Sequence, residues 1–308
     1  MIVLGTRGSE LALAQTALVK AALRDMEVMV KVITTRGDET TGRSEAPVDR
    51  RAGRKGLFTG EIERALLDRE IDIAVHSAKD LPSDAAPGLE VCAVLPRAQV
   101  EDVLVTKSAA DLAGLPAEAT VATGSVRRQH QLRWVRSDLK VVDLRGNVPT
   151  RLRKLTTNPW DAIILARAGL ERLGFECSSG SIDFEGQLLR TSMLRTVDFL
   201  PAGGQGIVAL QIRTDDVATR DALSKLNHHE TLLCLRAERE FLRLLQGDCD
   251  TPVGVLATME EGSLNLRAQV FKEMGAKPEA AGSVRNPLDR SPELIAARLF
   301  AFMYGEKK

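Results

Sequence analysis

Short β-branched runs alternate with stretches of helical periodicity from the first residues to about Thr214, and no other feature restricts the fold as much. The runs are Ile2 to Leu4, Val28 to Ile33, Ile71 to Val75, Leu89 to Leu95, Val103 to Thr106, Val121 to Thr123, Val141 to Leu144 and Ile163 to Leu165. Strands separated by helix-length segments build α/β units, so an α/β protein with parallel or mixed sheets is predicted. The helix expected from Ser9 to about Asp25 carries Leu11, Leu13, Ala14, Ala17, Leu18, Ala21 and Leu23 on one broad stripe that should pack on a sheet, with Ser9 as N-cap. Beyond Thr214 the texture changes to helices near Asp216 to Leu226 and His228 to Leu245. Strands near Val253 to Ala257, Leu264 to Phe271 and Ala281 to Arg285 follow, then a helix from Pro292 to Tyr304. That is an α+β tail with its own small core. At 308 residues and roughly 150 per domain, two domains or three small ones are expected.

Residues 34 to 55 break the pattern, with ten charges and no hydrophobic periodicity. A loop this long inside a compact domain is expected to be mobile, functional or both, a solvated insertion being the plainer alternative. Its end, Gly53-Arg54-Lys55-Gly56-Leu57-Phe58, runs into a helix starting near Thr59.

Forty-two Lys and Arg balance forty-two Asp and Glu, so no net field draws the chain to nucleic acid or to an anionic membrane, and anion binding must be local. One region is strongly biased: from Ser125 to Lys154 nine basic residues face two acids. A solvated helix face is the ordinary fate of such a run. Here, however, Thr123-Gly124-Ser125-Val126-Arg127-Arg128 reads as a strand end, a tight turn and a helix N-terminus, where free N–H groups and the dipole attract anions. Two arginines in that first turn oppose the dipole, which points to an anionic ligand supplying the missing charge. Arg145-Gly146-Asn147 and Thr150-Arg151 repeat the arrangement one strand later. Only eleven aromatics occur, none but Trp134 within the patch, so stacking platforms for a nucleic acid are missing. Neither a Walker A sequence nor GxGxxG is present, and small polycarboxylates fit better.

A second cluster, His76-Ser77-Ala78-Lys79-Asp80-Leu81-Pro82, follows the strand at Ile71 to Val75, at the carboxyl end where open α/β sheets collect ligands. Asp80 is a candidate for stabilising a developing cation or moving protons, with Lys79 engaging an anion; capping the turn before Pro82 is its plainer use. His76 reads as a hydrogen-bonded structural residue, and His228-His229 cannot share a metal face. Cys249 lies in Gly247-Asp248-Cys249-Asp250, where two acids would raise a thiol pKa, unlike an activated nucleophile. The four cysteines form no CxxC pair and fit a reduced, cytoplasmic setting. Charges arrive too early for a signal peptide and no apolar run reaches membrane-spanning length, so no membrane association is expected.

Taken together these segments resemble the porphobilinogen deaminase (hydroxymethylbilane synthase) family over nearly the whole chain. The likeness rests on Thr6-Arg7-Gly8-Ser9 with Leu11-Ala12-Leu13 and Gln15, Lys55-Gly56-Leu57-Phe58, Asp72 through Pro82, and Gly124-Ser125-Val126-Arg127-Arg128-Gln129. It continues through Leu144-Arg145-Gly146-Asn147-Val148, Thr150-Arg151-Leu152, Ala168-Gly169-Leu170, Gly204-Gln205-Gly206, Asn227-His228-His229-Glu230-Thr231 and the Cys249 turn. The resemblance implies three domains: residues 1–95 with 196–215, residues 99–193, and residues 219–308. The first two are expected to resemble periplasmic-binding-protein lobes with mixed sheets, and the third to be a smaller α+β domain.

It also implies a dipyrromethane cofactor joined by a thioether to Cys249, on which four porphobilinogen molecules are polymerised with loss of ammonia before water releases hydroxymethylbilane. By the same likeness Asp80 is the catalytic carboxylate. Cys249, Lys79, Asp80, Ser125, Arg127, Arg128, Arg145 and Gly146 would hold the cofactor. Arg7, Ser9, Gln15, Lys55, Ser77, Thr123, Arg151, Arg172 and Gln205 would bind substrate. No metal is implied, and a monomer is the family-based expectation. Departures from the family pattern are Glu10 for a usual proline, Gly124 for serine or threonine, Gly60 for lysine and Asp248 for glycine; Gly124 loses a hydroxyl near the anion site. The alternative is a non-catalytic two-lobed protein that binds polycarboxylates reversibly.

Overall fold

The computed structural model describes residues 1–35, 59–246, 251–287 and 291–305. In chain order the elements begin with β1 (Ile2–Thr6), α1 (Glu10–Ala22), β2 (Val28–Val32), α2 (Gly60–Leu67), β3 (Ile73–Ser77), β4 (Leu89–Val94) and β5 (Asp102–Thr106). They continue with β6 (Thr120–Ala122), α3 (Val126–Val135), β7 (Lys140–Val142), α4 (Val148–Thr157), β8 (Ala162–Ala166), α5 (Arg167–Arg172), β9 (Ser181–Phe184) and β10 (Gln187–Leu194). The rest are β11 (Val208–Arg213), α6 (Val217–Ser224), α7 (His229–Leu244), β12 (Val253–Glu260), β13 (Ser263–Val270), β14 (Ala280–Pro287) and α8 (Pro292–Tyr304).

These strands form three sheets. The first has the order β2-β1-β3-β11-β4, in which β1 pairs parallel with β2 and β3 while β11 runs antiparallel to β3 and β4. The second has the order β7-β6-β8-β5-β10-β9, parallel on one side and antiparallel from β8 outward. Both are mixed, as expected, and each mixes because a returning strand closes the parallel unit. The third is the antiparallel meander β12-β13-β14, whose buried face forms one core with α7 and α8. Strand β13 alternates strictly between buried and half-buried residues, the period-2 pattern of a sheet covered on one face. The chain crosses between the first two sheets twice, through residues 95–101 and 195–207.

Local signals placed most elements within a few residues. Ser9 caps α1, its Oγ accepting from the Ala12 N–H at 3.3 Å, and Ser125, Asn147, Asp216, His228 and Ser291 cap later helices in the same way. The stripe expected on α1 is corrected: its buried residues are Gln15, Thr16 and Val19, followed by Leu23, whereas Leu13 and Leu18 are exposed. The helix is apolar on several faces, so composition did not choose one. Two polar residues face inward because both are satisfied, Thr16 donating to Ala12 C=O at 2.8 Å and Gln15 Nε2 to Ser77 Oγ at 2.9 Å. Strands β9, β10 and β11 were not anticipated. The β9–β10 hairpin turns on Glu185-Gly186, both at positive φ (53° and 79°).

Candidate active site

The turn after β3 and the first turns of α3 and α4 come close enough that Arg128 and Arg151 act on Lys79, and the space among them is the candidate cleft. Asp80 ends the 3-10 turn Ala78–Asp80 that follows β3. This turn closes on backbone alone, Leu81 N–H donating to Ala78 C=O at 3.2 Å, so the carboxylate is not used as a cap. Among the described residues neither Lys79 Nζ nor the Asp80 carboxylate forms a hydrogen bond. Both instead lie in the field of the facing arginines, Arg128 and Arg151 acting on Lys79, and Arg151 sensing Asp80.

Those cations are crowded. Burial pushes the Lys79 ammonium down to about 8; Asp80 opposes this and Arg128 adds to it. Burial also pushes Arg151 down to about 10, with Arg128 again repelling and Asp80 opposing. Arg151 Nε donates to Gly146 C=O at 2.6 Å, and its two Nη groups form no hydrogen bond among the described residues. Arg145, half exposed, pairs with Asp143 at 2.8 Å, an ion pair that a ligand carboxylate can replace at small cost. The cleft therefore holds more positive charge than its own acids neutralise, and an anionic ligand relieves it.

Arg127 and Arg128 require a correction. The negative charge opposite them is not left to a ligand: Asp102, fully buried at the start of β5, takes Arg127 Nη2 at 2.9 Å and Arg128 Nη2 at 2.6 Å. Arg127 is further consumed by Gln131 Oε1 and Leu200 C=O, and Arg128 by Ile164 C=O. Burial alone would raise the Asp102 carboxyl, but the two guanidiniums overcome it and hold the group well below the usual carboxylate range. Gln205 also turns to Asp102, at 2.9 Å, and to Val100 C=O at 2.7 Å.

The other expected site residues are spread around this centre. Gln15 and Ser77 join across α1 and β3. Ser125 caps α3, and its N–H donates to Thr123 Oγ1 at 3.3 Å. Arg172, the last residue of α5, donates to Gly206 C=O at 2.7 Å while its buried Nε has no partner. Arg7 follows β1, and its charge helps lower His76. His76 is pushed down to about 4, chiefly by burial against the opposing pull of its Gln211 hydrogen bond at 3.0 Å, and so stays neutral. Ser9 is taken by the α1 cap. Lys55 and Cys249, like most of the charged loop from 34 to 55, lie outside the described residues.

Reasoning from sequence missed Asp102, Gln131, Arg97 and Glu238. Glu238 is fully buried on α7 and accepts from Arg97 Nη1 (2.6 Å), Gly204 N–H (2.6 Å) and Ala257 N–H (2.7 Å). The available signal was an acid on an otherwise apolar stretch, Asp102 opening the run Val103-Leu104-Val105. Such residues are seldom buried unless paired.

The family model described as porphobilinogen deaminase, dipyromethane cofactor binding domain, matches residues 2–221, and that of the porphobilinogen deaminase C-terminal domain matches residues 232–297. A porphobilinogen deaminase of Syntrophomonas wolfei is 43% identical over 284 residues, covering 91% of this chain and 88% of that protein. One from Roseiflexus sp. (strain RS-1) is 44% identical over 293 residues, covering 93% and 92%. Among solved structures, the periplasmic VFT2 domain of Bordetella pertussis BvgS superposes on 69% of this chain and 76% of its own, at 15% identity and a TM-score of 0.40.

Proposed function

The chain belongs to the porphobilinogen deaminase family, and from that membership we propose how its residues carry the reaction. The activity is that of a transferase of tetrapyrrole biosynthesis, a hydroxymethylbilane synthase that joins four porphobilinogen molecules head to tail with loss of ammonia. Membership sets aside the non-catalytic carboxylate binder. The family's dipyrromethane, when bound, supplies the primer ring to which the first porphobilinogen is joined.

The residues present fit such a group. Each pyrrole ring bears an acetate and a propionate, and Lys79 and Arg151 are cations held down by burial and by repulsion from Arg128, a state that carboxylates reverse. Arg151 through its unbonded Nη groups, Arg128 through the rest of its fork, Lys79, and Arg145 on release from Asp143 would take those carboxylates. Arg7, Arg172, Ser77, Gln15, Thr123, Ser125 and Gln205 would line the remaining surface. Cys249 would carry the thioether.

One observation carries the mechanism: an Asp80 carboxylate without a hydrogen bond among the described residues, at a strand end and close enough to Arg151 of α4 to support its charge. That carboxylate accepts pyrrole N–H groups and stabilises the positive charge left on the substrate ring as ammonia departs. A negative charge already placed where the cation forms favours that transition state, because less of its surroundings must reorganise as the charge develops. We read three domains, residues 1–95 with 196–215, residues 99–193 and residues 219–308, a division that the three separate sheets support. We read the protein as a cytoplasmic monomer, a reduced compartment being one that suits the three free cysteines among the described residues.

Intact mass tests the tether. Purified protein should exceed its sequence mass by one dipyrromethane, and the excess should vanish in Cys249→Ser; an active protein of unmodified mass would refute the attachment.

A further inference from the structure

We propose that Asp102 is a positioning residue, which holds the Arg128 guanidinium beside Lys79 and Arg151 and ties that placement to the two segments crossing between the sheets. The proposal rests on the proposed reading of the cleft as a polycarboxylate site. Asp102 Oδ1 accepts from Arg128 Nη2 at 2.6 Å and from Gln205 Nε2 at 2.9 Å, and Oδ2 accepts from Arg127 Nη2 at 2.9 Å. Arg128 Nη1 is pinned in turn to Ile164 C=O at 3.0 Å, so both Nη groups are anchored, while the buried Nε has no partner among the described residues.

The anchor is also where the chain passes from one sheet to the other. Asp102 and Val100 end the outgoing crossing, and Leu200 and Gln205 belong to the returning one. Arg127 and Gln131 on α3 reach Leu200 C=O at 2.7 and 2.9 Å, and Gln205 reaches Val100 C=O at 2.7 Å. A single buried carboxylate thus fixes Arg128 relative to both crossings. Without its charge, Arg127 and Arg128 would be left as adjacent buried cations and would turn apart.

The test compares Asp102→Asn with Asp102→Asn/Arg127→Met, which removes the charge together with one partner and so spares the fold. Three readouts are taken: nitrogen-15 NMR of the arginine side chains, intact mass during loading of cofactor-free protein with porphobilinogen, and KM against kcat. Wild type should show restrained, slowly exchanging guanidinium signals for Arg128, and both variants should lose them. Cofactor loading should slow and KM should rise about tenfold, with kcat changed less than about twofold, the signature of lost binding common to ground and transition states. Partial recovery by Asp102→Glu would support the role. Wild-type loading and KM in the folded double variant would overturn it, as would restrained Arg128 signals that survive the loss of Asp102. The NMR readout is independent of catalysis, so a wild type that neither loads nor releases ammonia would count against the proposed function and leave the anchoring itself measured.

Discussion

At the scale of single residues the cleft is set by which charges are already matched. Asp80 has no hydrogen bond among the described residues, while Asp102 accepts three from side chains. Two aspartates of the same chemistry are thereby separated into an available acceptor and a fixed one. Asp80→Asn keeps the shape and removes the charge, and should lower kcat at least about a hundredfold if the carboxylate stabilises a developing cation. Near-normal turnover would leave Asp80 only a structural part. Lys79 yields a pH prediction. Its pKa falls from 10.5 to about 8, so between those values the unfolded chain holds the proton more tightly and folding gains stability as pH rises. On the proposed role of Lys79 function moves the other way, because an ammonium that bound carboxylate would be lost through pH 8. KM for porphobilinogen should climb above pH 8 in the wild type and stay flat to higher pH in Lys79→Arg, whose charge persists; parallel profiles would remove Lys79 from binding.

At the scale of elements the informative contacts are those between turns. Gly124 departs from the family's usual hydroxyl residue, which from sequence reads as a missing hydrogen bond. In the structure a Cβ at Gly124 would stand 2.6 Å from Leu144 C=O and 3.1 Å from Asp143 Oδ1. The turn before α3 is therefore packed onto the turn before α4, and glycine permits that approach. Gly124→Ser should destabilise by about 1–3 kcal/mol in thermal or denaturant unfolding and should weaken binding at Arg145, which lies on the displaced turn. A Gly124→Ser protein as stable as the parent would show that the two turns separate at no cost. Helix α1 makes the complementary point. Its N-cap was legible because a serine before an apolar run is a local signal, whereas its buried face was not, since Gln15 and Thr16 point inward only because Ser77 and Ala12 receive them.

At the scale of the whole molecule the third sheet is joined to the crossing segments through Glu238. Its carboxylate binds Arg97 on the outgoing segment and the Gly204 N–H on the returning one. Gly204, at φ 76°, lies so close to the turn bearing Lys79 that a Cβ would be 2.8 Å from the Ala78 carbonyl carbon. Glu238→Ala would leave a half-buried guanidinium without its counter-charge and the Gly204 and Ala257 N–H groups without their acceptor. It should cost about 3–5 kcal/mol, a fall in unfolding midpoint on the order of 10 °C. A change below about 1 kcal/mol would mean that the carboxylate is not the link between these parts.

The sequence by itself determined most of the element order apart from β9, β10 and β11, the Ser9 cap, the arginine-rich turns and the placement of Asp80 after a strand, because each follows from neighbours a few residues apart. It did not determine which arginines remain available to a ligand. Arg127 and Asp102 are 25 residues apart, Gln205 and Asp102 are 103, and Arg97 and Glu238 are 141. Only the folded chain decides whether such a charge is matched internally, since a buried ion is stable where its partner happens to be brought. The same run of arginines is therefore part anchor and part site, and the division between them is a property of the packing.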